Sequence, residues 1–302
     1  MAHILDGKAT SKQIKEEIKK EVQLIKEKCR KDIGLAVVQV GDNAASNTYI
    51  NNKKKACEEV GMKFHHIKFD DFEAAMVLDR RIFELNETEE IDGIIIQLPL
   101  PENTHKDIEH VLVSDYKDVD CFSYTNLGKL FVGKSEMFGM LPCTPSGIVQ
   151  LLKRNNIEIA GKKVVVVGRS NIVGKPIAMM LLNENATVTI CHSKTENLAE
   201  ETKRADILIV AVGQREMITA DYVKEGAVVI DVGIHRKEDG KLCGDVKFDE
   251  VYEKIGENGW ITPVPGGVGP MTVTMLLQNT LNAAKSRLVY ESSYTNGYKV
   301  IG

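Results

Sequence analysis

Apolar and polar positions alternate with two different periods along the chain. Between residues 14 and 29, apolar side chains recur every three or four positions among Lys and Glu, which predicts an amphipathic helix. The segment IGLAVVQVG at 33–41 is a short apolar run that ends in glycine, which predicts a buried strand. A second helix is expected over 44–60, where Gly61 supplies its stop.

The same succession of strands and helices continues to about residue 113. Further elements of this half are expected as strands at 62–69 and 92–101 and helices at 73–88 and near 104–113. Strands that alternate with helices favour parallel βαβ units. Residues 114–145 are less regular, and we place the crossing out of the first domain there.

The pattern restarts after residue 145. The elements expected in this half are helices at 146–155, 174–184, 197–204 and about 271–288 and strands at 163–167, 187–191, 206–212 and 227–232. The chain is therefore predicted to be an α/β protein. Its domains are expected at 1–145 together with the C-terminal helix, and at 146–270, with a polar tail at 289–302.

Composition and charge exclude several classes of protein. A length of 302 residues fits about two domains. With 39 Lys and Arg against 43 Asp and Glu, the net charge of −4 gives no basic surface, so we expect no nucleic-acid partner. No apolar run is long enough for a signal peptide or a membrane span, so no membrane is expected. Six dispersed cysteines without a CxxC pair favour reduced thiols in the cytoplasm, and we expect no metal site.

A candidate phosphate-binding turn lies in VVVVGRSNIVG. An apolar strand runs into a glycine-containing turn and then a helix, whose N-terminal N–H groups could bind a pyrophosphate. The spacing departs from G-x-G-x-x-G, because Gly168 and Gly174 are six apart and Val166 occupies the first glycine position. A simple tight turn in an α/β domain is the alternative.

The residues after the next strand bear on the choice of cofactor. An NAD site usually has Asp or Glu there to bind the ribose 2′-hydroxyl, but this strand ends in CHSKT. Ser193, Lys194 and Arg169 offer hydrogen-bond donors and positive charge instead, which suit a 2′-phosphate. These residues favour NADP over NAD.

Tyr49 and Lys53 are four residues apart, so they share one face of the predicted helix. They could act together on a substrate, or they could belong to an ordinary solvated face. A Tyr-x-x-x-Lys pair is also found in short-chain dehydrogenases. In that family the nucleotide turn precedes the pair, whereas here the turn at Gly168 follows it, so the order excludes that assignment.

Eight motifs cover about residues 3–288, and in chain order they are VGDNAASNTYINNKKKACEEVG, GIIIQLPLP, KDVDCF, PCTPSG, VVGRSNIVGKP, CHSKT, DVGI and TPVPGGVGPMTVTML. Together they closely resemble one known family, the bifunctional methylenetetrahydrofolate dehydrogenase/methenyltetrahydrofolate cyclohydrolases.

The resemblance implies two α/β domains that flank a cleft and are joined by long helices, in a homodimer. The second domain would be a Rossmann-like NADP-binding domain, and the first a folate-binding catalytic domain. The implied reactions are oxidation of 5,10-methylenetetrahydrofolate by NADP and hydrolysis of the methenyl product to 10-formyltetrahydrofolate, in one active site. A dehydrogenase that lacks the hydrolase activity or prefers NAD remains open, as does a nucleotide-binding protein without catalysis.

The resemblance also implies roles for individual residues. Lys53 corresponds to the catalytic lysine, Tyr49 to the aromatic residue over the folate, Gln97 to the partner of the lysine, and Asp120 to the carboxylate that holds the pterin. The positions expected to contact the cofactor are Gly168, Arg169, Ser170, Ser193 and Ile234. The positions expected to border folate and nicotinamide are Pro265, Gly266, Gly267, Val268 and Gly269.

Two residues depart from the pattern of that family. Cys121 stands where glycine is usual, and if the position needs a positive φ, cysteine would strain the turn beside Asp120. His235 stands where asparagine is common, next to the cofactor position Ile234.

Overall fold

A computed structural model describes residues 1–100, 112–133 and 140–295. The helix expected near 104–113 therefore lies almost wholly outside the described residues, as do residues 296–302 of the tail. The chain forms two compact units. One consists of Ile14–Cys143 with Val273–Gly302, and the other of Met1–Gln13 with Thr144–Thr272. We call them the three-stranded unit and the six-stranded unit after their main sheets.

The three-stranded unit contains a parallel sheet in the order β3-β2-β4. Its strands are β2 (Gly34–Val40), β3 (Lys63–Phe69) and β4 (Gly93–Ile96). Every residue of the central strand β2 is buried, as expected for a parallel strand covered on both faces. Its helices are most of α1 (Gly7–Cys29), α2 (Ala44–Val60), α3 (Asp71–Glu87), α4 (Tyr124–Phe131) and the later part of α9 (Val268–Thr295).

The six-stranded unit contains a parallel sheet in the order β1-β11-β8-β7-β5-β6. Its strands are β1 (His3–Ile4), β5 (Lys163–Val167), β6 (Thr187–Cys191), β7 (Ile207–Val210), β8 (Val228–Asp231) and β11 (Trp260–Ile261), and an antiparallel pair is formed by β9 (His235–Arg236) and β10 (Leu242–Cys243). Its helices include α5 (Cys143–Arg154), α6 (Gly174–Asn183), α7 (Leu198–Lys203) and α8 (Phe248–Ile255). Because β6 and β7 lie on opposite sides of β5, the strand order reverses there, and ligands bind at such switch points in open α/β sheets.

The predicted α/β class, with a Rossmann-like second domain, is confirmed. The strands at 163–167 and 187–191 and the helix at 44–60 have the predicted bounds. Helices α1 and α9 each begin in the six-stranded unit and end in the three-stranded unit, so long helices join the two.

Three features differ from the sequence-based expectations. Residues 1–13 belong to the six-stranded unit rather than to the first domain, because β1 pairs in parallel with β11. The last helix runs to Thr295 instead of ending near 288, so the first part of the expected tail is helical. Helices α4 and α8 were not predicted.

Candidate active site

Lys53 and Gln97 form a hydrogen-bonded pair in the three-stranded unit. The ammonium group of Lys53, on α2, donates to Oε1 of Gln97 over 2.8 Å. Gln97 directly follows β4, and its backbone N–H donates to the carbonyl of Val38 at 2.8 Å. Its side-chain Nε2 donates to the carbonyl of Leu98 at 2.7 Å, which turns the amide oxygen toward the lysine. The resemblance predicted this partnership, and the structure brings the two side chains together.

Burial and charge act in opposite directions on Lys53 and Asp120. Burial lowers the pKa of Lys53, while the negative charge of Asp120 raises that pKa. Burial raises the pKa of Asp120, whereas the charge of Lys53 and hydrogen bonds from the thiol and the backbone N–H of Cys143 lower it. Removal from water disfavours the charged form of either group. The amine and the carboxyl therefore both have perturbed pKa values, as functional groups often have.

The two aspartates of KDVDCF, Asp118 and Asp120, have different roles: the first is structural and the second is a candidate for the chemistry. Asp118 is buried, and its carboxylate accepts from the backbone N–H groups of Phe122 at 3.0 Å and Ser123 at 2.8 Å and from Nδ2 of Asn126 at 2.9 Å. It therefore builds the turn before α4, the role that an aspartate in such a motif most often has. Asp120 is left near Lys53, as its predicted role requires.

Cys121 has a φ of 60°, in the left-handed region that favours glycine. The positive φ considered for this position is therefore present, and the fully buried cysteine is strained beside Asp120. Cys143 was not singled out from the sequence. Its contact with Asp120 joins two segments more than 20 residues apart, so no local pattern could reveal it.

Tyr49 lies one helical turn before Lys53 and is 48% exposed, so its ring is available to a ligand. Lys54 and Lys55 on the same helix are exposed. The three-stranded unit thus presents an exposed aromatic ring, a half-buried amine held by a neutral amide, and a carboxyl group.

The phosphate-binding turn lies where β5 meets α6. Gly168 has a φ of 128°, and a Cβ at this position would lie 2.2 Å from the carbonyl oxygen of Ala211, so a side chain is excluded. Ser170 Oγ accepts from the backbone N–H groups of Val173 at 3.2 Å and Gly174 at 3.3 Å at the beginning of α6. This turn occupies the switch point of the sheet, which is the usual place for a dinucleotide.

Exposed donors lie at the ends of β5 and β6. Arg169, Ser193 and Lys194 are all exposed. A compact turn displays Ser193, because the backbone N–H of His192 donates to Oγ1 of Thr195 at 2.8 Å and the N–H of Thr195 donates to the carbonyl of His192 at 2.8 Å. The geometry is compatible with recognition of a phosphate group at this end of the sheet.

Ile234 is 49% exposed, and the residue that follows it is tied to a buried carboxylate. His235 Nε2 lies 2.7 Å from Oδ1 of Asp245, whose other oxygen accepts from the N–H groups of Val212 at 2.8 Å and Gly213 at 3.0 Å. The histidine therefore links the segments that follow β7 and β8. His235, which stands where asparagine is common in the family, therefore takes part in the contacts of the Asp245 carboxylate.

The segment 265–269 forms the turn that leads into α9. A Cβ on Gly267 would lie 2.6 Å from the carbonyl oxygen of Pro263, and the carbonyl of Gly266 accepts from the N–H of Lys8 at 3.1 Å. Close backbone packing within the six-stranded unit therefore accounts for glycine here. The expectation that Pro265, Gly266, Gly267, Val268 and Gly269 border folate and nicotinamide stays a prediction.

Two kinds of feature are absent from the described residues. Within 1–100, 112–133 and 140–295, no group of three His, Cys, Asp or Glu side chains could hold a metal ion. No helix in the same residues is both long and apolar enough to cross a membrane.

Fold and site together define a two-domain α/β enzyme with a Rossmann-like nucleotide-binding domain and a lysine-centred site in the other domain. Family models for the catalytic domain and the NAD(P)-binding domain of tetrahydrofolate dehydrogenase/cyclohydrolases match residues 5–120 and 142–288. The chain belongs to this family.

Relatives and solved structures agree with this assignment. The chain is 53% identical to bifunctional protein FolD of Bacillus subtilis (strain 168) over 287 residues, which cover 95% of this chain and 99% of the relative. It is 48% identical, with a TM-score of 0.91, to the crystal structure of bifunctional FolD from Campylobacter jejuni, covering 95% of this chain and 100% of that one. For the Trypanosoma brucei enzyme complexed with NADP and an inhibitor, the identity is 37%, the TM-score 0.88, and the coverage 95% and 98%.

Proposed function

We propose that the protein oxidises 5,10-methylenetetrahydrofolate with NADP and hydrolyses the methenyl product to 10-formyltetrahydrofolate in one active site. The observation that carries this proposal is the amine of Lys53, placed beside the carboxyl of Asp120 and held by the neutral amide of Gln97 at 2.8 Å. Identity above 50% to bifunctional relatives over nearly the whole chain supports it.

The residues of the six-stranded unit suit NADP. The turn at Gly168 leads into α6, whose N-terminal N–H groups could bind a pyrophosphate. The exposed side chains of Arg169, Ser193 and Lys194 supply donors and positive charge for a 2′-phosphate. The four residues directly after β6, at 192–195, include no acidic residue that would repel it. Ser170 and Ile234 complete the set of cofactor-contacting residues that we propose.

In the first reaction, NADP held by these residues would supply the acceptor for a hydride from the methylene carbon of the folate. The chain contributes mainly alignment, which alone can supply a large part of the rate enhancement. We assign Tyr49 to contact with the folate through its exposed ring. Asp120 can accept two N–H bonds from the amino-pyrimidinone edge of the pterin with its two oxygens.

The second reaction needs a group that can take and return protons. Water adds to the cationic methenyl carbon and loses a proton, which a neutral Lys53 can accept. Cleavage of the bond from that carbon to N5 then requires a proton on N5, which the protonated amine can return. The hydroxyl of the adduct loses its own proton to solvent as the formyl group forms, which is the one proton released overall. Burial lowers the pKa of Lys53 and thereby increases its neutral fraction. Gln97 orients the amine without supplying a charge that would keep it protonated.

The test measures the two reactions separately. Wild-type protein is mixed with methylenetetrahydrofolate and NADP, and the formation and decay of the methenyl absorbance are followed. Lys53→Met is expected to reduce hydrolysis at least about a hundredfold, in line with loss of a general acid–base group. Lys54→Met is a matched control, because it removes the same charge from an exposed position on the same helix. If Lys53→Met hydrolyses the methenyl substrate at the wild-type rate, the lysine has no role in the mechanism. If the wild type forms no 10-formyl product, the protein is a dehydrogenase without hydrolase activity.

We further propose that the protein works in the cytoplasm as a homodimer. All six cysteines are free, which suits a reducing compartment. Light scattering during gel filtration should give twice the 33.5 kDa mass of one chain. A mass of one chain at micromolar concentration would contradict the dimer.

A further inference from the structure

Asn279 is a buried polar side chain that none of the motifs above includes. It lies on α9 and is 5% exposed. Its Nδ2 donates to the carbonyl oxygens of Val119 at 2.8 Å and Leu141 at 2.7 Å. Although the NAD(P)-binding family model covers 142–288, this residue and both acceptors belong to the three-stranded unit. Asparagine is also a poor helix former, so helix propensity does not account for it.

Both acceptors lie within two residues of Asp120 or Cys143, which are groups near Lys53. Val119 precedes Asp120, and Leu141 lies two residues before Cys143, whose N–H and thiol hydrogen-bond to Asp120. The thiol of Cys143 lies 3.3 Å from the carbonyl oxygen of Val119 and 3.7 Å from Nδ2 of Asn279. A single amide therefore joins the segment that carries the carboxyl group to the segment that supplies its hydrogen-bond donors.

The turn around Asp120 needs such support. Its neighbour Cys121 has a φ of 60°, a conformation that persists in a residue other than glycine only when the surrounding structure enforces it. Before the turn, Asp118 forms an isolated bridge to β4 at Ile94, and its carboxylate accepts from the backbone N–H groups of Phe122 and Ser123. The two hydrogens of the Asn279 amide bond to the carbonyl of Val119, which also accepts from the thiol of Cys143, and to the carbonyl of Leu141.

We infer that Asn279 is a positioning residue for the folate site, which holds Asp120 in place for the pterin through the Val119 and Leu141 carbonyls. This inference rests on the proposed function, in which Asp120 binds the pterin. Hydrogen bonds from Asp120 to the pterin would weaken if the carboxyl group moved away from its optimal distance and angle. Loss of the amide is therefore expected to weaken folate binding while leaving the nucleotide site of the six-stranded unit unaffected.

The test compares Asn279→Ala with Thr280→Ala in the full-length protein. Thr280 is the next residue of α9 and is fully buried, and its hydroxyl donates within the helix to the carbonyl of Leu276 at 2.8 Å. Both variants should lower the melting temperature. Only Asn279→Ala should raise the KM for methylenetetrahydrofolate, by about tenfold or more, with kcat reduced less and the Kd for NADP unchanged. Asn279→Ser, which keeps one donor, should give an intermediate KM.

The outcomes separate this inference from the proposed function. A wild type that does not oxidise methylenetetrahydrofolate overturns the proposed function and this inference with it. Wild-type turnover together with an unchanged folate KM in Asn279→Ala overturns this inference alone, since the residue would then serve stability. The same conclusion follows if Thr280→Ala raises the KM equally, if the Kd for NADP rises in parallel, or if neither Asn279→Ala nor Asn279→Ser folds.

Discussion

The amine of Lys53 lies 2.8 Å from the amide oxygen of Gln97, a residue 44 positions further along the chain. The other end of that amide donates to the carbonyl of Leu98, so its orientation is fixed by the backbone. A neutral acceptor at this position holds the amine without stabilising its positive charge as a carboxylate would. Proton transfer during hydrolysis requires an amine that can lose its proton. The neutral amide of Gln97 leaves Lys53 able to do so.

Gln97→Glu tests that argument. A carboxylate beside the amine favours the charged form and raises the pKa of Lys53. The neutral fraction of the amine should then fall at neutral pH, and hydrolysis should fall with it, by about tenfold or more. Assays of hydrolysis across pH should show the loss and its partial recovery at higher pH. Gln97→Ala is the control, since it removes the hydrogen bond without adding a charge, and it should show no recovery with pH. Equal hydrolysis in Gln97→Glu and wild type would contradict the argument.

Asp120→Asn should move the pH profile of hydrolysis in the opposite direction. The negative charge of Asp120 raises the pKa of Lys53, so its removal lowers that pKa further below the usual value for lysine. A lower pKa leaves more neutral amine at any given pH, and the rising limb of kcat against pH should shift to lower pH. The measurement is kcat at saturating methenyl substrate, corrected for the uncatalysed rate. The folate KM should rise as well, and a limb that moves to higher pH would refute the electrostatic coupling.

The repeating parts of the fold could be predicted because their patterns are local. Buried parallel strands such as β5 are nearly continuous runs of valine and isoleucine, and α1 has a regular apolar face. Strands β1 and β11 contain two residues each, which is too short for any period, so their pairing could not be predicted. The local pattern therefore offers no reason to group residues 1–13 with the six-stranded unit.

The candidate site was only partly predictable for the same reason. The spacing of Tyr49 and Lys53 was visible in the sequence, but the roles of Gln97 and Asp120 came from the family resemblance. Cys143 and Asn279 have partners up to 160 residues away, and only the fold brings them together. The one signal that could have found Asn279 is a polar residue on the apolar face of a buried helix, beside Thr280.

Ser193→Asp tests the preference for NADP. A carboxylate at this exposed position after β6 would repel a 2′-phosphate, whereas it could accept a hydrogen bond from the 2′-hydroxyl of NAD. The Kd for NADP should rise about tenfold or more, and that for NAD should stay the same or fall. Fluorescence titration of both nucleotides measures the change.

Asn185→Asp provides the control for that experiment. It adds the same charge near the other end of β6, at an exposed position, and should leave the Kd for NADP unchanged. If Ser193→Asp weakens NADP and NAD binding equally, the serine does not discriminate between the two nucleotides.

Cys121 allows the strain beside Asp120 to be measured directly. At an ordinary helix or strand position, glycine is less stable than alanine by about 0.5–1 kcal/mol, because it loses more conformational freedom on folding. At a φ of 60° the order should reverse, since a residue with a Cβ loses about 1–2 kcal/mol in the left-handed conformation. Cys121→Gly and Cys121→Ala both remove the buried sulfur and differ only in the Cβ methyl group. Their difference in stability therefore reports mainly on the backbone conformation. Cys121→Gly should be the more stable of the two by about 1 kcal/mol in urea denaturation, and Cys121→Ala being the more stable would show that the turn carries no such strain.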